Sequence, residues 1–161
     1  MRRAVALLVL LLLAAGADRA VAADVRVMSF NIWLGGDVVD FGKVVETIEA
    51  SGAEVVGLQE AEGNTRKVAR ALGWPYWSDR LHVVSRHPLI DPPEARGEYV
   101  LVQLRPGEVF ALANVHLTSD PYGPYAVRDR RSLARVLNLE RRTRLPEIRA
   151  TLRALPDGIP T

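Results

Sequence analysis

The sequence predicts an α/β fold of mixed, α+β character, and three observations carry that reading. Two strand-like apolar runs, residues 25–31 and 54–59, flank a segment with helical spacing, and short connections in such a strand–helix–strand unit favour parallel pairing. From Tyr76 onward the pattern changes to short β-rich runs punctuated by Pro and Gly, which is how antiparallel strands and hairpins read. After His116, Arg-rich segments return to a helical period.

Residues 25–31 read as a buried strand that ends in a polar side chain, Asn31, and Ile32-Trp33-Leu34-Gly35-Gly36 is a turn-like exit. Asp40 can cap a helix reaching about Ser51, with Phe41, Val44, Val45 and Ile48 on one face. Gly52 suits its C-terminal end. Residues 54–59 form the next strand, an apolar run that stops at Gln59-Glu60. Asn64 or Thr65 opens a second helix, with Val68, Ala69 and Leu72 inward.

Short strands are expected at residues 76–77, 81–85, 99–104 and 109–116, with turns at His87-Pro88, Asp91-Pro92-Pro93 and Pro106-Gly107. The last of these joins two β-rich runs as a hairpin. Residues 118–125 read as a long polar loop. Helices are expected near residues 131–142 and 146–155; Pro146 fits the first turn of the second, and Ile148, Leu152 and Leu155 supply its apolar face.

The chain has 161 residues, enough for one domain with a real core. Met1-Arg2-Arg3, the Ala/Val/Leu run from Ala4 to Ala15 and the small residues Ala20-Val21-Ala22-Ala23 read as a secretory signal peptide over residues 1–23. The run breaks at Gly16-Ala17-Asp18-Arg19, short of the roughly 20 apolar residues a membrane anchor needs. The expected location is therefore secreted or periplasmic, after cleavage near Ala22 or Ala23. With no Cys, neither a disulfide nor a lipidated cysteine is available, so the core alone must stabilise the exported chain.

Beyond residue 23 the chain carries 18 basic and 18 acidic groups, unevenly spread. Residues 24–124 hold 9 basic and 14 acidic groups, while residues 125–161 hold 9 arginines against 4 acids. A basic segment of this kind can meet phosphates. The simpler expectation is that its arginines solvate helix faces and pair with the acidic half.

Polar residues at the C-terminal ends of neighbouring strands can build a site. A carboxylate there, Glu60, is a natural ligand for a hard cation such as Mg²⁺. Four segments in order carry such residues: Ser29-Phe30-Asn31, Leu58-Gln59-Glu60, Val84-Ser85-Arg86-His87-Pro88-Leu89 and Asn114-Val115-His116-Leu117. Singly each is weak, since a lone strand-end Asn, Glu or His is more often structural.

Together, from residue 25 to about residue 155, they resemble the endonuclease/exonuclease/phosphatase superfamily of metal-dependent phosphoesterases, which includes DNase I-like nucleases. The resemblance implies that Glu60 binds a catalytic Mg²⁺ or Mn²⁺, with Asn31 beside the metal, helping to hold the acidic cluster. His116 is implied to contact the scissile phosphate or assist the leaving oxygen. Arg86 is implied on the cleft rim and Asn114 at the strand end, both on the substrate side, with Asn114 expected to support the strand end rather than react. By position alone, Tyr122 and Tyr125 could shape a substrate pocket. The implied substrate is a phosphate ester: nucleic acid, a phospholipid headgroup or a sugar phosphate.

The sequence also departs from that superfamily. Its Gly-Asp-Phe-Asn and Ser-Asp-His motifs, which orient and activate the attacking water, do not occur in these 161 residues. The superfamily fold is a four-layer αββα sandwich, so the expectation is about half of it: a mixed sheet flanked by helices, truncated at the C-terminus. Such a sheet would have an inner face open to self-association, and the chain would have little hydrolytic activity. A secreted module that binds a phosphate ligand without catalysis is the alternative.

Overall fold

The computed structural model describes residues 24–161; the leader expected at residues 1–23 lies outside the described residues. The first sheet takes the order β1-β2-β4-β3, from β1 (Val27–Asn31), β2 (Val55–Gln59), β3 (Tyr76–Ser78) and β4 (Val83–Ser85). β1 and β2 run parallel, with Asn31 opposite Gln59. β4 runs antiparallel to β2, with Val55 opposite Ser85.

The connections form as their local signals require. Helix α1 (Phe41–Ser51) starts where the Asp40 carboxylate accepts the Gly42 N–H at 2.9 Å. It ends at Gly52, whose φ of 68° is a left-handed conformation that costs a residue without Cβ little. Helix α2 spans Thr65–Ala71. Val44 and Ile48 of α1 and Val68 and Ala69 of α2 pack with Val56, Leu58 and Val84 of the sheet, and Trp74 closes the cluster. Each fully buried aliphatic side chain in it contributes on the order of 1.5–3 kcal/mol.

A second sheet, β5 (Leu89–Ile90), β6 (Val100–Arg105) and β7 (Glu108–Leu112), is antiparallel throughout. The Pro106-Gly107 turn joins β6 to β7 as expected. Strand alternation gives this sheet two apolar faces. Val100, Val102, Leu104, Phe110 and Leu112 meet Val55 and Val83 of the first sheet. Leu101, Ala111 and Ala113 meet Leu155 and Ile159 near the C-terminus, where the Ala111 N–H donates to the Pro160 carbonyl at 2.7 Å.

The layers therefore run helices, sheet, sheet, C-terminal segment. This corrects the expectation of a single sheet with an open inner face. Val55 and Val83 are 0% exposed because the strands after residue 88 form a second sheet over them. Along β1 that face stays open: Met28 and Phe30 pack toward the helices, while Val27, Ser29 and Asn31 are exposed.

Beyond β7 the packing changes character. The strand expected at 109–116 stops at Leu112, so Asn114 and His116 lie in a stretch without regular structure. The expected loop contains a short helix, α3 (Gly123–Arg128), followed by α4 (Leu133–Arg142) and α5 (Arg144–Ala154). Neither α4 nor α5 has a fully buried residue.

Polar contacts hold this segment. Arg144 donates to the carbonyls of Thr118 and Pro121 at 2.7 and 2.9 Å and pairs with Glu140. Thr118 donates its N–H to Glu147 at 2.9 Å. Arg144 holds the Glu140 carboxyl below its usual range, and the Thr118 hydroxyl does the same for Glu147. Arg128, Arg130, Arg131, Arg135, Arg141 and Arg142 are exposed on α3, α4 and the turn between them, as the simpler expectation has it. Among the described residues of this segment, Arg128 and Arg144 form ion pairs, and both partners, Asp129 and Glu140, lie within it.

Candidate functional site

Because β1 and β2 are parallel, their C-terminal ends lie side by side and deliver Asn31 and Glu60 to the same place. The Asn31 amide donates to Glu60 Oε1 at 2.7 Å, and its own oxygen accepts the Trp33 N–H at 2.9 Å. His116 Nε2 approaches the same Glu60 oxygen at 3.8 Å. Three residues far apart in sequence thus converge on one carboxylate atom. The other oxygen, Oε2, has no partner among the described residues.

Glu60 and His116 border a cleft of about 680 Å³ that Leu34, Glu62, Arg80 and His82 also line, and Asn31 reaches its edge through Glu60. Its walls are strained. Leu34, Glu60, Glu62 and His82 all have positive φ, from 47° to 53°. For residues with a Cβ this costs on the order of 1–3 kcal/mol each, and such strain gathers at ligand sites and switches.

Behind the carboxylate lies a layer of neutral polar groups. Gln59, largely buried, donates to Asn114 Oδ1 at 2.7 Å and to Ser29 Oγ at 3.2 Å. Asn114 donates to the carbonyls of Leu58 and Leu81 at 2.7 and 2.8 Å. The Asn114 amide is thus spent on tying β2 to the entry of β4. It borders the cleft and braces it. Gly57 makes the brace fit, because a Cβ there would lie 2.5 Å from Asn114 Oδ1.

Two other expected site residues lie elsewhere. Arg86 follows β4, which runs opposite to β2, so it sits at the far end of the sheet from Glu60. Its N–H donates to the Glu54 carbonyl at 2.9 Å, and its guanidinium stacks 5.2 Å from the Trp74 ring. Tyr122 packs edge-on against Tyr125 at 5.0 Å, with the Arg144 guanidinium 5.7 Å from its ring. Neither tyrosine lines the cleft.

Among the described residues, no group of three His, Asp or Glu side chains is placed to enclose a metal. The donor set at Glu60, one carboxylate with an amide and an imidazole beside it, suits a hard cation that keeps most of its waters and takes further oxygens from a phosphate. Mg²⁺ or Mn²⁺ is a cation of that description, and Glu60 is the residue that could hold it.

Sequence reasoning missed Gly57, Gln59 and His82. An isolated Gly inside an apolar strand is itself a signal that another chain segment approaches closely. Gln59 was visible only as the neighbour of Glu60. His82 lay inside an expected strand, with nothing to mark its backbone as left-handed.

No known family matches the chain, and no solved structure matches it. A Caenorhabditis elegans protein described only as uncharacterized is 33% identical over 119 residues, an alignment that spans 66% of this chain. The match covers 38% of that relative's length.

Proposed function

We propose that the cleft at the ends of β1 and β2 binds a divalent cation and a phosphate ester, as part of a phosphoesterase site of the endonuclease/exonuclease/phosphatase type. The observation that carries this reading is the convergence of Asn31, at 2.7 Å, and His116, at 3.8 Å, on one oxygen of Glu60. Glu60 would hold Mg²⁺ or Mn²⁺, and Asn31 would fix its carboxylate so that Oε2 is presented to the ion. His116 would serve a phosphoryl or leaving oxygen, since an imidazole gives or takes a proton near neutral pH. The cation, when bound, neutralises charge on the phosphoryl oxygens. The leader-like residues 1–23 add export to the reading, and the substrate is of nucleic-acid, phospholipid-headgroup or sugar-phosphate type.

A second reading, a binding module without catalysis, draws on where the later acidic residues stand. Asp129, Glu140 and Glu147 are engaged by Arg128, Arg144 and Thr118 respectively, and the acids lining the cleft are Glu60 and Glu62. Calorimetric titration with Mn²⁺, alongside hydrolysis of bis(p-nitrophenyl) phosphate, tests both readings. Glu60→Gln should weaken cation binding at least about tenfold, the loss of a charged ligand being worth more than 1.4 kcal/mol. Unchanged binding would remove the site. Strong Mn²⁺-dependent hydrolysis lost in Glu60→Ala would decide for an enzyme complete in this chain; binding without turnover favours the module.

A further inference from the structure

We infer that His82 is a second imidazole of the cleft that donates from Nε2 to a phosphoryl oxygen of the ligand, with its tautomer fixed by Thr65. The inference rests on the phosphate-ester reading of the cleft and adds a ligand contact to it.

The backbone comes first. His82 precedes β4, and its carbonyl accepts the Leu58 N–H at 2.8 Å, so it is pinned to the end of β2 close to Glu60. Its φ of 51° is a conformation that a His adopts at a cost, and the residue lines the cleft beside Glu60 and His116.

The side chain is held as firmly. Thr65, the first residue of α2, is 0% exposed, and its hydroxyl lies 2.9 Å from His82 Nδ1. That nitrogen is the one partner of the Thr65 hydroxyl among the described residues. Two arrangements of protons are available. If Nδ1–H donates to the hydroxyl oxygen, the hydroxyl proton is left buried without an acceptor, and if the hydroxyl donates to the Nδ1 lone pair, both groups are satisfied. The second arrangement places the ring proton on Nε2, which has no partner among the described residues.

With the phosphate-ester reading of the cleft, the charges around it indicate what Nε2–H meets. Glu60 and Glu62 are acidic, and the Arg80 guanidinium is taken up by Asp91. A neutral oxygen would accept from the imidazole donor more weakly than a charged one. An anion screened from the two carboxylates by a cation would accept from it, and a phosphoryl oxygen is an acceptor of that kind. A purely structural role, tying α2 to the strand entry, needs the Nδ1 contact but no ligand at Nε2.

Imidazole ¹⁵N correlation spectra of the full chain separate these accounts, with Mn²⁺ replaced by diamagnetic Mg²⁺ and dimethyl phosphate as the probe. The free protein should show the His82 proton on Nε2, and Thr65→Val should move part of that population to Nδ1. Dimethyl phosphate with Mg²⁺ should shift His82 Nε2 together with Asn31 and His116. His82→Ala should weaken probe binding about tenfold, as expected for one hydrogen bond to a charged group, while His82→Gln, which keeps a donor, stays closer to the parent. A ring proton on Nδ1 in the free protein overturns the inference. So do shifts at Asn31 and His116 with His82 unmoved, an outcome that leaves the cleft reading intact. No shift at any of the three residues overturns both.

Discussion

Residues 24–113 and residues 114–161 are held together by different forces. In the first region, Val55, Val56, Leu58, Val83, Val84 and Val102 are all 0% exposed, locked between helices and sheets. In the second, Leu133 and Leu152 are 73% and 62% exposed, and polar contacts centred on Arg144 and Glu147 supply the order. The candidate site lies where the two meet. Asn31 and Glu60 project from strands anchored by apolar burial, whereas His116 comes from the start of the polar-stapled region, held beside them through the Asn114 brace. Position at the site is thus set by packing on one side and by hydrogen bonds on the other.

The same substitution in both regions exposes the difference most strongly. Leu58→Ala should cost about 2–5 kcal/mol in urea unfolding, the range for emptying a packed core position. Leu152→Ala should stay within about 0.5 kcal/mol. Equal losses would mean that the second region packs as tightly as the first.

The junction is next. Gly57→Ala drives a methyl into Asn114 and should cost about 1–3 kcal/mol, as overpacking does. In an Asn114→Ala background the same change should be milder by at least about 0.5 kcal/mol, the coupling of residues in direct contact. Additive losses would show that Asn114 does not lie over Gly57.

Removing the staple should loosen one region alone. Arg144→Ala should speed hydrogen exchange in α5 and around Thr118 and leave β2 and β4 protected. Faster exchange throughout would make the two regions one cooperative unit.

The smallest effect belongs to Glu54, at the end of the sheet far from Glu60. Its hydrogen bond to His87 holds its carboxyl below the ordinary value of 4.5 in the folded state. The stability this contributes is therefore present above pH 4.5 and lost as pH falls through the lowered folded value. Urea midpoints from about pH 6 to about pH 3 should fall less steeply in Glu54→Gln; an unchanged slope would show that the pair does not form.

Much of the first region was legible because its signals are local. Asp40 and Gly52 bound α1, the run ending at Gln59-Glu60 marked β2, and Pro106-Gly107 marked a hairpin. The parallel β1–β2 pair and the β6–β7 hairpin were legible too, but the direction of β4 and the split into two sheets were not, because both depend on partners distant in sequence. The resemblance implied Arg86 on the cleft rim, yet β4 runs opposite to β2 and carries it to the other end of the sheet. The β-rich runs of β6 and β7 marked strands but not that one of their faces covers Val55 and Val83. At the site, Asn31, Glu60 and His116 could be named from residue type and order. Gly57, Gln59 and Asn114 act through a hydrogen-bond network that only the fold assembles, and α3 hid in a segment whose Pro, Gly and Tyr residues read as loop.

Paramagnetic broadening by Mn²⁺ tests the central claim, that Glu60 with Asn31 and His116 forms a cation site, most directly. Substoichiometric Mn²⁺ added to ¹⁵N-labelled protein should broaden Asn31, Glu60 and His116 first and spare Glu54 and His87, and Glu60→Gln should abolish the effect. Broadening centred elsewhere, or an identical pattern in Glu60→Gln, would contradict the account.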